Sequence, residues 1–256
     1  MLIGICGGAD QASALKELGF DFLEENVQRY LKPRESNDAF KSPEPGALTV
    51  PAANCFLPGD LKVVGPKVDA AALYEYADRA FERAHNIGLD TIVFGSGGAR
   101  AIPEGWPKAK AEEQFVEALK ELGARAEGWG VYVAVEPLNR GECNFINSLA
   151  EGAALVRAAD HPNVRLLVDF FHMLRDDEPA AEILKVGDLI QHVHIAEKAK
   201  RTAPGVAGDD FSAFLGALKE VGYSDRISFE CGWGDLNAEA PKSIAYLRKQ
   251  MKAAGL

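Results

Sequence analysis

The sequence predicts an α/β protein, a single-domain (β/α)8 TIM barrel occupying residues 1–256. Three observations predict it. Eight short runs rich in β-branched residues alternate with longer stretches of helical period, the sequence form of repeated βα units. The runs are apolar nearly throughout instead of alternating, as suits strands buried on both faces of a parallel sheet covered by helices. Finally, 256 residues shared among eight units leave about 32 for each, the size of one repeat of such a barrel. An open doubly wound sheet is the second choice, because alternation alone does not close a sheet.

The expected strands, in order, are residues 2–7, 20–24, 48–53, 91–95, 131–136, 164–169, 190–195 and 226–230. The first begins at the start of the chain, where the basic and long apolar regions of a signal peptide are lacking, so it reads as a strand of a cytoplasmic protein. Residues 28–45 contain Pro33, Pro43 and Pro45 among charges that break any period, which predicts a short helix followed by a loop. A second loop, 55–66, carries Pro58-Gly59 and Gly65-Pro66. Four helices show clear apolar stripes. Leu73, Tyr76, Ala77, Ala80, Phe81 and Ala84 form the first, and Phe115, Ala118, Leu119 and Leu122 the second. Phe211, Phe214, Leu215 and Leu218 form the third, and Ile244, Leu247 and Met251 the last. Such stripes are core packing.

Composition removes several function classes. Mean hydropathy is -0.11, and no apolar run approaches the roughly 18 residues of a membrane span. With 28 Lys plus Arg against 38 Asp plus Glu, the net charge is -10, which disfavours broad nucleic-acid binding, an interaction driven by cations on phosphates. Cys6, Cys55, Cys143 and Cys231 form no CxxC pair, so they read as reduced core residues and not as a disulfide or zinc framework.

Barrel chemistry sits at the C-terminal ends of strands. The later strands end in Val135-Glu136-Pro137, Val168-Asp169, Val193-His194 and Phe229-Glu230, one metal-binding or acid–base group per successive unit. Three carboxylates brought together would repel and raise one another's pKa values; a divalent cation resolves that conflict. The donor set suits Mn²⁺, Mg²⁺ or Co²⁺, with Zn²⁺ also compatible. The competing reading, separate salt bridges at a barrel mouth, leaves four acids and bases ending apolar runs without a reason. Among the five histidines, His85 falls in a helix and His161 in a loop before Pro162. His192 and His194, two apart, share one strand face; His194 is nearer the mouth and the better ligand, while His192 is a core or supporting group. His172, three after Asp169, faces metal or substrate. Gly95 to Arg100 after the fourth strand reads as a plain turn or as a phosphate cradle to which Arg100 adds charge.

At these residues the sequence resembles the xylose-isomerase-like sugar isomerase/epimerase barrels, most closely the ketose 3-epimerase branch. The resemblance is carried by Glu136-Pro-Leu-Asn-Arg140-Gly-Glu142, Asp169-Phe-Phe-His172, His192-Val-His194, Arg201-Thr-Ala-Pro204-Gly205 and Phe229-Glu230. It is strong from about Val131 onward and architectural before that. It implies metal ligation by Glu136, Asp169, His194 and Glu230, with Mn²⁺ the first choice, and substrate binding by Glu142, His172 and Arg201. The stretch from His194 to Arg201 is one residue longer than the family pattern, so Lys200 is the alternative to Arg201. The chain is also shorter in its first half, where the family's sugar-specificity loops lie.

The implied reaction is proton abstraction next to the carbonyl of a sugar or sugar phosphate, with Glu136 and Glu230 as catalytic bases on opposite faces. A metal acting as Lewis acid would stabilise the ene-diolate. A hydroxypyruvate isomerase or inosose dehydratase needs the same metal and enolate and stays open, as does a sugar-binding barrel without catalysis. An endonuclease-IV-like enzyme is disfavoured, since that likeness implies further histidines from the early strands and none precedes His85. Neither nucleic acid nor membrane is expected as a partner; a homo-oligomer is the association that the resemblance implies.

Overall fold

The structure, a computed structural model, describes residues 1–44 and 46–256. Eight parallel strands close into a barrel in sequence order: β1 (Leu2–Cys6), β2 (Phe22–Asn26), β3 (Ala52–Asn54), β4 (Thr91–Phe94), β5 (Tyr132–Val135), β6 (Val164–Asp169), β7 (Ile190–Ile195) and β8 (Arg226–Phe229). Closure is made by β8 pairing with β1, Leu2 opposite Arg226 and Ile5 opposite Phe229. The doubly wound alternative therefore falls away.

The helices are α1 (Ala12–Glu17), α2 (Val27–Tyr30), α3 (Ala70–Asn86), α4 (Gly97–Arg100), α5 (Lys108–Glu127), α6 (Leu149–Ala159), α7 (Phe170–Arg175), α8 (Ser212–Glu220) and α9 (Leu236–Ala254). The four apolar stripes lie on α3, α5, α8 and α9, where their members face the core, except that Phe211, also buried, is the residue just before α8. Polar side chains set several starts: Asp69, Ser148 and Asp235 accept from Ala72, Glu151 and Ala238 backbone N–H groups, pairing donors a helix would otherwise leave open. No helix is long and apolar enough to cross a membrane among the described residues.

Three local departures from the sequence reading have physical causes. β3 spans 52–54 and not 48–53, because Pro51 has no N–H to give a ladder; Leu23 N–H donates to Thr49 O and Asp90 N–H to Pro51 O, outside regular pairing. β2 begins at Phe22, since Phe20 N–H is spent on Leu15 O, and runs on to Asn26. In 28–45 the expected short helix is the single turn α2, capped by Asn26. The loop beyond it is held by Arg83, which donates to the carbonyls of Leu31, Lys32 and Glu35 and lies 4.0 Å over the Phe40 ring. Pro45 lies outside the described residues.

Two features shape the barrel interior. A Cβ at Gly4 would meet the Phe22 ring at 2.3 Å, so glycine there lets that ring fill the barrel. The β6–β7 register slips by one residue: Leu166 faces Ile190, but Leu167 faces His192, which brings Asp169 opposite His194. Without that irregularity the two would not be neighbours.

Candidate metal centre

Glu136 follows β5, Asp169 ends β6, His194 lies on β7 and Glu230 follows β8. Each offers one donor atom, and the four atoms lie within 4.8 Å of one another. His194 Nδ1 is 3.2 Å from Glu136 Oε1, 3.3 Å from Glu230 Oε2 and 3.8 Å from Asp169 Oδ2. Backbone contacts hold two of the members. Arg100 donates to the Glu136 carbonyl at 2.7 Å, and Glu230 N–H donates to Ile195 O at 3.2 Å. Asp169 Oδ1 caps α7, accepting from Phe171 and His172 N–H at 2.6 and 3.2 Å. Its Oδ2 is buried without a hydrogen-bond partner. A buried carboxylate oxygen left open is costly, and this one points into the cluster. Three carboxylates, one of them with that open oxygen, and one imidazole fit a divalent cation.

The electrostatics agree with such a fit. Burial pushes Glu136 above the ordinary carboxylate range; its His194 hydrogen bond opposes this, and the Glu230 charge adds to it. Burial would also raise Asp169, but His172, Arg201 and His194 outweigh it and hold that group low. Burial works against charge on His194, yet Glu24 and then Glu230 drive its pKa well above the usual value. The surrounding acids thus favour positive charge at the position where a cation would sit.

Glu24, on β2, is one residue that sequence reasoning missed. Its Oε1 is 2.8 Å from His194 Nε2 and its Oε2 is 2.7 Å from His192 Nε2, all three side chains fully buried. Burial would raise Glu24, but His194 and His192 lower it well below the carboxylate range. Its place at the end of the expected strand 20–24, the same position that marks the acids of the later strands, was the available signal. His192, also 3.1 Å from Ser228 Oγ, supports and does not line the cluster; burial lowers its pKa.

The remaining sequence-derived residues surround a cavity of about 290 Å³ at the C-terminal mouth. His172 Nδ1 accepts from the Asn139 backbone N–H at 3.2 Å. A backbone N–H can only donate, so the imidazole proton sits on Nε2, which lies 3.8 Å from Glu136 and 3.6 Å from Asp169. Glu142 Oε1 accepts from Asn139 Nδ2 at 2.9 Å and lies 3.5 Å from Arg201 Nη1. Arg201 pairs with Glu230 Oε2 and covers the Phe171 ring at 4.5 Å. Burial opposes its charge, but Glu230, Asp169 and Glu136 outweigh it and raise its pKa. Lys200 is exposed and lines a neighbouring depression, not this cavity. Asn54, also unforeseen, donates to Glu230 Oε1 at 3.3 Å.

Two sequence readings are corrected. Arg100 is fully buried and donates to Phe94 O and Glu136 O, so it adds no charge to a phosphate cradle; Gly95 instead lies against Glu136, where a Cβ would meet Oε2 at 2.2 Å. All four cysteines are free, but Cys143 alone is core: Cys55 is exposed, with a left-handed φ of 54°, just past β3.

A family model described as xylose isomerase-like TIM barrel matches residues 12–250. The chain is 34% identical over 116 residues to L-ribulose 3-epimerase of Methylomonas sp. (strain DH-1), 45% of this chain and 40% of that protein. It is 34% identical over 119 residues to D-psicose 3-epimerase of Ruminiclostridium cellulolyticum, 46% of this chain and 40% of that one. The matched stretches therefore span less than half the length of these relatives. The fold is similar to that of D-psicose 3-epimerase from Clostridium cellulolyticum H10, solved with D-tagatose, with a TM-score of 0.82 over 98% of this chain and 99% of that chain at 21% identity.

Proposed function

The chain belongs to the xylose isomerase-like TIM barrels, and from that membership we propose that it is a divalent-metal-dependent carbohydrate epimerase of the ketose 3-epimerase kind. The observation that carries the reading is the convergence of Glu136, Asp169, His194 and Glu230, with Asp169 Oδ2 buried and open. These four would hold the ion, and a donor set of three carboxylates and one imidazole favours Mn²⁺. A divalent ion there would supply Lewis-acid polarisation of the sugar's carbonyl and neighbouring hydroxyl oxygens.

The chain's own groups do the proton work. Glu136 and Glu230 flank His194 from different strands, so one carboxylate removes the proton next to the carbonyl and the other returns a proton on the opposite face, inverting the carbon. Burial holds Glu136 above the ordinary carboxylate range, which makes its carboxylate a stronger base than a solvated one. His172 presents Nε2–H to a substrate oxygen, while Arg201 and Glu142 orient the distal hydroxyls. Among the described residues lining the cavity Arg201 is the one cation, and it is committed to Glu230 and Glu142. That favours an uncharged ketose over its phosphate.

The test is a panel of free ketoses and their phosphates incubated with the Mn²⁺-loaded protein in deuterated water. Deuterium at the carbon next to the carbonyl together with the epimeric sugar is the expected result. Exchange without epimer would move the assignment to an isomerase or dehydratase, and no exchange on any ketose would overturn the enzymatic reading.

A further inference from the structure

Glu197 lies three residues past His194 and is fully buried, outside the four-donor cluster. Its Oε1 accepts from the backbone N–H groups of Gly205, Gly208 and Asp209 at 2.7, 2.8 and 3.1 Å. Its Oε2 accepts from the Thr202 hydroxyl at 3.0 Å and from Ala207 N–H. One carboxylate thus serves five donors of the β7–α8 loop, four of them peptide groups that irregular backbone would otherwise leave to water.

The loop enclosed in this way contains Lys200 and Arg201, with φ values of 58° and 54°. Two consecutive non-glycine residues in the left-handed region persist only where their surroundings impose it. From that conformation Arg201 is tied to the end of β8 three times. Its carbonyl accepts from Gly232 N–H at 2.8 Å, its Nε donates to Glu230 O at 3.1 Å, and its guanidinium meets the Glu230 carboxylate.

We propose that Glu197 is a positioning residue. By closing 202–209 around its carboxylate it holds Arg201 in the conformation from which the guanidinium engages Glu230, and so it tunes how strongly Glu230 can serve a cation. The consequence for the cation rests on the reading of Glu230 as a ligand; the enclosure of the loop does not. Gln is the informative replacement, since it keeps the size but turns an NH₂ toward N–H donors.

The experiment compares wild type, Glu197→Gln, Arg201→Ala and the double variant by amide hydrogen exchange without metal and by Mn²⁺ titration calorimetry. In Glu197→Gln, the amides of 205–209 and of Gly232 should exchange at least ~100-fold faster while the β-strands keep their protection. Glu197→Gln and Arg201→Ala should each tighten Mn²⁺ about tenfold, because the guanidinium no longer competes for Glu230, and the double variant should bind no tighter than Arg201→Ala. Unchanged exchange at Gly232, or effects on Mn²⁺ that add in the double variant, would overturn the proposal. Wild type that fails to bind Mn²⁺ would overturn the ligand reading alone, with the Gly232 amide still deciding the positioning role. Should Glu197→Gln not fold, Thr202→Val removes one donor of the five, and a Gly232 amide exchanging as in wild type would then count against the proposal.

Discussion

Nε2 of His194 lies 2.8 Å from Oε1 of Glu24, a contact between β7 and β2 that decides which ring nitrogen faces the acids. With Nε2 donating to Glu24, Nδ1 is turned toward Glu136, Asp169 and Glu230. A carboxylate behind a ligating imidazole sets its orientation and raises its basicity.

Glu24→Gln should therefore weaken Mn²⁺ binding about 10- to 100-fold while the barrel stays folded. Calorimetric titration of the variant gives the affinity, and circular dichroism checks the fold. An affinity equal to wild type would mean that Glu24 is structural only.

Glu136→Gln and Glu230→Gln should each lower turnover of the epimerised ketose by about 10²- to 10⁴-fold, the usual worth of a positioned base. Single-face action distinguishes the two: the variant that has lost the proton-returning group still exchanges deuterium into the substrate. Epimerisation retained in both variants would remove the two-base scheme.

Gly95→Ala places a Cβ 2.2 Å from Glu136 Oε2 and 3.3 Å from its Cδ, so the carboxylate must move. A displacement of this kind next to reacting groups costs on the order of 10²-fold in kcat. Since a flexible carboxylate end gives way, the melting temperature should stay near that of wild type. Kinetics and a thermal scan of the same preparation decide; unchanged kcat would mean that Glu136 acts from another position.

The raised pKa of His194 predicts a pH dependence of metal binding. Its folded value lies well above 6.5, through Glu24 and Glu230 acting against burial. In the metal-free protein this imidazole contributes stability that is fully present below its unfolded pKa and is lost as pH rises through the folded pKa. A cation at Nδ1 must displace that proton, so Mn²⁺ affinity should rise with pH across the window above 6.5, by up to about tenfold per unit for one proton. Calorimetry in buffers of different ionisation enthalpy counts the protons released; binding that releases none would contradict it.

Much of this was legible in one dimension because it was local. An apolar run that ends in an acid, as at Val135-Glu136 or Phe229-Glu230, announces both a buried strand and the polar group at its mouth. The spacing His192-Val193-His194 shows two rings on one strand face, and the helical stripes on α3 and α9 show which side is covered. Asn54 and Gly95 were not legible: Asn54 reaches Glu230 across 176 residues, and Gly95 looked like part of a turn until Glu136 was found against it. Arg100 misled because an arginine beside glycines suggests an anion site, whereas its burial against two carbonyls makes it a brace for Glu136.

The order of amino acids alone dictates the eightfold alternation and the residues that could gather at one end, since hydrophobic period and strand termini are properties of neighbours along the chain. Packing in three dimensions was needed to turn Arg201 and not Lys200 toward Glu230, to stand Glu24 behind His194, and to bring Asp169 beside it through a one-residue slip between β6 and β7. Those outcomes depend on register, on left-handed backbone held by a buried carboxylate, and on closure of β8 against β1, and such contacts exist only once distant segments have been packed together.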